Sequence, residues 1–185
     1  MEVQAIKDPD TVNLISHLLE IRFSKQMSDI WNIGLNLALR ISDLLSIKFA
    51  DIHDDRLIIK ESKTGKSANI KLNKKAISII SRIKQEHPLH VYLFQSYRNQ
   101  QSINKPPKPI SRRAVTKAFA EVGQEIKVRL GTHSMRKTRG YTLYQQTKDI
   151  ARVMKMLRHS SAGVTLRYIG ITQENIDSDF INLEI

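Results

Sequence analysis

The chain contains no cysteine. Disulfides and thiolate-bound metals are therefore excluded, and the composition suits the reducing interior of a cell. The opening Met-Glu-Val-Gln-Ala-Ile-Lys-Asp has no basic segment followed by an apolar run, so it does not read as a signal peptide. No window approaches the roughly 20 apolar residues that cross a bilayer, which predicts a soluble protein with no membrane partner. Internal repeats and low-complexity tracts are absent, as is any acidic cluster that would hold a metal beside the histidines. What remains is a chain of 185 residues, enough for one domain with a proper hydrophobic core.

Positive charge is what the chain has in excess, and its distribution is informative. The formal net charge is +12. Residues 105–168 hold 15 Lys/Arg and 3 Asp/Glu, a surplus equal to the whole net charge. Residues 1–104 hold 15 and 11, and residues 169–185 hold 0 and 4. A merely solubilising charge would be spread more evenly. A field concentrated in this way attracts a polyanion and speeds its encounter.

Local patterns predict mostly helices. Asp8-Pro9 starts the first, a capping carboxylate with proline at the first helical position. Val12, Leu14, Ile15, Leu18 and Leu19 follow at helical spacing as its core face. A second helix spans about Ser24 to Leu39, with Met27, Ile30, Trp31, Ile33, Leu35 and Leu37 inward. Ser42 and Asp43 suit the cap of a short helix after it. Residues 56–61 and 67–72 read as a β-hairpin turning at Ser62-Lys63-Thr64-Gly65-Lys66, and residues 47–52 as a third strand. Asn73 caps a helix through about Gln85, stopped by His87-Pro88. Residues 96–110, with Pro106, Pro107 and Pro109, form a loop. Ser111 caps a basic helix to about Gly123, and helices cover about 133–146, 148–157 and 161–168. The expected fold is mostly α with a small antiparallel β-sheet, followed by an acidic tail, Thr172 to Leu183, bearing Ile176, Phe180 and Ile181.

The chemistry concentrates between Thr132 and Tyr168. His133 and Arg136 are three residues apart and share one face of a helix. His159 follows in Leu157-Arg158-His159-Ser160-Ser161, and Tyr168 comes nine residues after it. Two imidazoles, a guanidinium and a phenol suit phosphate chemistry: arginine binds phosphate oxygens bidentately, histidine moves protons near neutral pH, and a deprotonated tyrosine attacks phosphorus. Upstream, Arg40 stands between Leu39 and Ile41, either as a surface charge at a helix end or held inward by a cluster that needs it. Lys63 and Lys66 lie at the hairpin tip, where long side chains reach a ligand. Lys66, Arg112, Arg113, Lys117, Lys137, Arg139 and Arg158 are the candidates for contacts to the polyanion. Taken one at a time each residue has a plainer explanation, a hydrogen-bonded structural histidine or a solvated charge. Tyr141 and Tyr144 are local rivals of Tyr168, but their spacing from His159 is wrong.

Taken together and in order, these residues resemble the catalytic domain of the tyrosine recombinases, the phage integrase family. The Arg-x-Ser/Gly-Glu/Asp-Leu box of that family is matched by Arg40-Ile41-Ser42-Asp43-Leu44, and its hairpin lysine by Lys63 in Ser62-Lys63-Thr64-Gly65. The His-x-x-Arg box is matched by His133 and Arg136. The Leu-Gly-His-Ser box is matched by Leu157-Arg158-His159-Ser160, and the nucleophile by Tyr168. The resemblance spans roughly residues 10–170. Two positions depart from it: Arg158 stands where the family usually has glycine, and Lys137 replaces a common histidine.

The resemblance implies the recombinase catalytic-domain fold and metal-independent site-specific DNA recombination. Tyr168 would attack a phosphodiester to form a 3′-phosphotyrosyl bond, releasing a 5′-hydroxyl. Arg40 and Arg136 would hold the non-bridging oxygens, joined by His159 as a donor. Lys63 would protonate the leaving oxygen, with Lys66 as its rival, and His133 would be the general base. Asp43 would be structural, fixing Arg40 or capping the next helix. No cofactor is implied. The implied partners are double-stranded DNA with specific recombination sites and further copies of the chain, a homo-tetramer on DNA and a monomer when free. The implied setting is a bacterial or phage-encoded cytoplasmic protein. Residues 1–171 would be the catalytic domain and residues 172–185 a tail helix docking on a neighbouring protomer. No room is left for the N-terminal DNA-clamping domain of most members, so the expectation is a cut-out catalytic domain or a short recombinase of the fimbrial-invertase kind. Two other functions share these features: a type IB topoisomerase-like nicking-closing enzyme, and a catalytically silent DNA-binding regulator.

Overall fold

The protein's structure is a computed structural model that describes residues 3–96 and 106–183. Helices begin where local capping chemistry dictates. Asp8 accepts from the N–H groups of Asp10 and Thr11 ahead of α1 (Pro9–Arg22). Ser24 accepts from Met27 N–H ahead of α2 (Lys25–Leu37). Asn73 and Ser111 do the same for α4 (Lys74–Glu86) and α5 (Arg112–Glu125). Each such cap contributes about 1 kcal/mol.

The core gathers around α2. Trp31 is fully buried, meets Phe119 of α5 edge-to-face at 5.7 Å, and donates its indole N–H to Val12 O at 3.1 Å. Burying a large apolar side chain of this kind contributes about 1.5–3 kcal/mol. Ile15, Leu19, Ile30, Ile33 and Leu44 are buried with it. Leu14 is 45% exposed, outside the stripe expected to hold it, and Leu35 is only half-buried.

The second helix stops at Leu37, earlier than its pattern predicts, because Ala38 turns left-handed with φ 51°. Arg40 then precedes the short α3 (Ile41–Leu45) without capping it. Ser42 and Asp43 lie inside that helix rather than at its cap. A three-stranded antiparallel sheet follows, in the order β1 (Ile52–His53), β2 (Arg56–Lys60), β3 (Ser67–Lys71). Its register pairs Ile58 with Asn69, and Gly65 provides the turn with φ 66°. The strand expected over residues 47–52 shrinks to two residues, because Phe49–Asp51 coil into a single 3₁₀ turn closed by the Asp51 carboxylate on Lys48 N–H.

The ends of the loop expected at residues 96–110 are pinned, Ser96 N–H to Lys108 O and Ile110 N–H to Phe94 O. Its centre, residues 97–105, lies outside the described residues. The chain ends in α6 (Ser134–Thr147), α7 (Ile150–Leu157), α8 (Ala162–Ile169) and α9 (Gln173–Asn182). The acidic α9 buries none of its residues, and Phe180 and Ile181 are 82% and 75% exposed. No helix among the described residues is long and apolar enough to cross a membrane.

Candidate active site

Arg136 is the structural centre of the site. Gly34 of α2 faces Met135 of α6 so closely that a β-carbon there would collide with the methionine sulfur, so the glycine lets α6 settle onto α2. Arg136, the next residue, is thereby buried to 1% exposure. Its Nη1 donates to Ala38 O at 2.5 Å and its Nη2 to Leu157 O. These carbonyls close the C-terminal ends of α2 and α7, where helices leave acceptors unpaired and carry partial negative charge. One guanidinium thus ties together the points where the Arg40 and His159 segments leave their helices. Burial, and then the charge of Arg40, pull its pKa down to about 10, so it stays charged at neutral pH.

Tyr168 arrives on α8. Its hydroxyl lies 3.3 Å from His133 Nδ1, across 35 residues of sequence. The His159 ring meets the Tyr168 ring edge-to-face at 4.6 Å. His159 Nδ1 is 3.0 Å from the hydroxyl of Thr165, which is fully buried. Thr165 and Tyr168, three residues apart, share one helix face, so α8 delivers an orienting hydroxyl and a phenol to the same imidazole. Both histidines are held neutral. Burial lowers the His133 pKa, reinforced by the charges of Arg136, Arg112, Lys137 and Arg40. Burial, with Arg136, Arg40 and Arg158, lowers that of His159 to about 4. A neutral His133 is able to accept the Tyr168 proton. For His159 Nε2 to donate to a phosphate oxygen, its Nδ1 must accept the Thr165 hydroxyl proton, which otherwise goes to Ser161 O at 3.3 Å.

Arg40 is held by a carboxylate that the sequence analysis did not single out. Glu61, whose side chain is wholly buried, accepts from Arg40 Nη1 at 3.0 Å, Arg158 Nε at 2.5 Å and Thr64 Oγ1 at 2.8 Å. Burial opposes its charge, but the bonds from Arg158 and Thr64 and the charges of Arg158 and Arg40 prevail and keep its pKa below the usual value. The part expected of Asp43 therefore divides: Glu61 fixes Arg40, while Asp43 accepts from Ser62 on the hairpin. Lys63 comes two residues after Glu61, exposed on the turn, and Lys66 is also exposed. The structure thus brings together Arg40, His133, Arg136, His159 and Tyr168, while Lys63 stands exposed on the turn between Ser62 and Thr64, which bond Asp43 and Glu61. Among the described residues no His, Asp and Glu converge as a metal site requires.

A model of the phage integrase family matches residues 8–175. The chain belongs to that family. It is 36% identical over 177 residues to a probable integrase/recombinase, YoeC, of Bacillus subtilis (strain 168), covering 93% of this chain and 92% of that protein. In fold it is similar to XerA recombinase, with TM-score 0.73 and 13% identity, and to the Tn1549 transposon integrase in complex with circular intermediate DNA, with TM-score 0.69 and 14% identity. Each superposition covers 100% of this chain, but 66% of the XerA chain and 68% of the Tn1549 integrase chain. The family is that of the site-specific tyrosine recombinases.

The basic residues of this integrase-family chain are not placed alike. Arg112, Arg113 and Lys117 are exposed along α5, with Lys117 3.7 Å from Glu121. Arg112 is near enough for its charge to act on His133. Arg139 lines a cavity of about 730 Å³ beside β3, together with Lys71, Arg152, Lys155 and Arg158. Sequence reasoning missed Arg152 and Lys155, although their spacing of three along α7 was an available signal. Two candidates sit differently from an exposed DNA contact. Lys137 is buried, its ammonium 5.2 Å from the Tyr168 ring centre, because it points from α6 towards α8. Arg158 is turned inward onto Glu61, because its left-handed backbone aims the side chain at the hairpin.

Proposed function

We propose that this chain cuts and rejoins DNA at specific sites through a covalent link to Tyr168. The observation that carries the proposal is the Tyr168 hydroxyl 3.3 Å from His133 Nδ1, beside two arginines held by fixed acceptors. His133 takes the phenolic proton as the Tyr168 oxygen attacks phosphorus. The bond between phosphorus and the 5′ oxygen breaks, a 3′-phosphotyrosyl bond forms, and Lys63 protonates the departing 5′ oxygen. Arg40, Arg136 and His159 meet the charge that develops on the non-bridging oxygens. The bond energy is kept in the phosphotyrosine, so a 5′-hydroxyl from another strand reverses the step without ATP. These side chains supply the positive charge that other nucleases draw from metal ions.

DNA as the partner is supported by the charge of residues 105–168, by the basic cavity beside β3, and by the similar fold of an integrase known in complex with DNA. The exposed apolar residues of α9 support a role in assembly: the tail docks on a second copy, and copies close into a tetramer on two sites. The acidic residues of α9 are repelled by DNA, so it points away from the duplex. Covalently attached DNA, recovered from cells that express the protein and sequenced, tests the whole reading. One discrete site supports site-specific recombination. Attachment scattered over many sequences would instead make the chain a nicking-closing enzyme, and none at all would leave a DNA-binding regulator.

A further inference from the structure

Glu61 is a buried anion shared by two cations, and only Arg40 belongs to the proposed phosphate-binding set. The other, Arg158, occupies the position usually filled by glycine, in a left-handed conformation with φ 53° that disfavours a side chain. Its guanidinium is turned inward, with Nε on Glu61 and an Nη2 that is buried without an acceptor among the described residues. Nη1 donates to Met156 O at 3.4 Å, so the polar groups of this side chain are directed at the protein. Ala38, Asp54, Lys127 and Lys148 share this backbone conformation, so it is the ion pair with Glu61 that marks Arg158 out for work at this site.

The work follows from electrostatics. Glu61 engages Nη1 of Arg40, so an incoming phosphate meets a guanidinium whose charge is already shared with a carboxylate, although its other N–H donors can still reach the phosphate. A buried carboxylate left without a cation is among the costliest arrangements in a folded protein. With a single cationic partner, Glu61 would draw its whole neutralising charge from Arg40. Resting on the recombinase reading above, we propose that Arg158 is a positioning residue: it neutralises Glu61, so that Arg40, still held through Nη1, keeps its charge for the scissile phosphate. The same ion pair ties the turn before His159 to the hairpin before Lys63, across 97 residues of sequence.

The test is a charge rescue, read as the rate of covalent adduct formation on a nicked substrate together with DNA affinity. Arg158→Gly relieves the backbone and removes the charge. It should slow cleavage roughly tenfold to a hundredfold, the worth of one charge-assisted hydrogen bond, and weaken DNA binding far less. Adding Glu61→Gln removes the anion but keeps an oxygen able to hold Arg40, so the double variant should regain much of the lost rate. Arg158→Lys, which keeps a cation beside Glu61, should cleave faster than Arg158→Gly, and melting curves confirm that each variant is folded. A double variant as slow as Arg158→Gly, or a loss of DNA affinity that parallels the loss of rate, would overturn the proposal. Absence of adduct with the unaltered protein would fail the recombinase reading and this role with it, whereas an active protein without rescue would fail this role alone.

Discussion

One carboxylate oxygen of Asp43 receives both the backbone N–H of Ser62, at 2.9 Å, and its hydroxyl, at 2.6 Å. This joins α3, which follows Arg40 directly, to the hairpin residue preceding Lys63. Together with Glu61 it fixes the root of the turn while leaving the lysine side chain exposed.

Asp43→Ala should therefore loosen the lysine as well as the fold. Loss of these two bonds from a side chain that is 1% exposed should cost about 1–3 kcal/mol, seen as a lower denaturant midpoint. Adduct formation should fall by more than DNA binding does. Asp43→Asn keeps an accepting oxygen and should be milder on both counts. Equal effects on binding and cleavage would argue that Asp43 does not act through the hairpin.

Lys63→Ala should harm cleavage more than Lys66→Ala, because protonating the leaving oxygen needs one ammonium in one place. A substrate with a 5′-bridging sulfur separates the roles, since a thiolate departs without a proton. Lys63→Ala should cleave that substrate well and the ordinary one poorly. Equal loss on both would make Lys63 a phosphate contact.

Much of this was legible in the sequence, for reasons that differ by residue. Asp8, Ser24, Asn73 and Ser111 announce helix starts because capping is a contact over two or three residues. Arg40, His133, Arg136, His159 and Tyr168 are legible because their types and order carry the pattern. Glu61 was not, since its partners Arg40 and Arg158 lie 21 and 97 residues away and a glutamate ending a strand looks solvated. The inward position of Lys137 was hidden likewise, because helical spacing does not say which neighbour covers a basic residue. Leu14 failed the other way, an apolar residue left exposed at the edge of a stripe whose Ile15, Leu18 and Leu19 are buried.

Histidine burial predicts a specific acid sensitivity. Between the usual histidine pKa of about 6.5 and its folded value of about 4, His159 is neutral in the folded chain and protonated in the unfolded one. The unfolded state then binds more protons, so stability is full above pH 6.5 and is lost as pH falls through that window. The melting temperature should decline from pH 6.5 to pH 5, before most carboxylates titrate. His159→Asn, which cannot titrate, should flatten the slope; an unchanged slope would mean that His159 is not buried neutral.

Deleting residues 172–185 removes the exposed apolar residues of α9 from a helix that buries none of itself. Single-site cleavage and DNA binding should survive, while paired-site assembly and strand exchange should fail. Sedimentation of protein–DNA complexes reads the first effect and a two-site recombination assay the second. A truncated protein that recombines at the normal rate would refute the docking role.

The central claim is that Tyr168 becomes bonded to DNA with arginine and lysine in place of a metal. Its most direct measurement uses a nicked DNA substrate whose cleaved fragment diffuses away, incubated with the protein in excess EDTA and run on a denaturing gel. The account predicts a covalent protein–DNA band for the unaltered chain and none for Tyr168→Phe, although the variant binds DNA nearly as well. An adduct formed by Tyr168→Phe, or cleavage by the unaltered chain that stops on chelation and returns with magnesium, would contradict it.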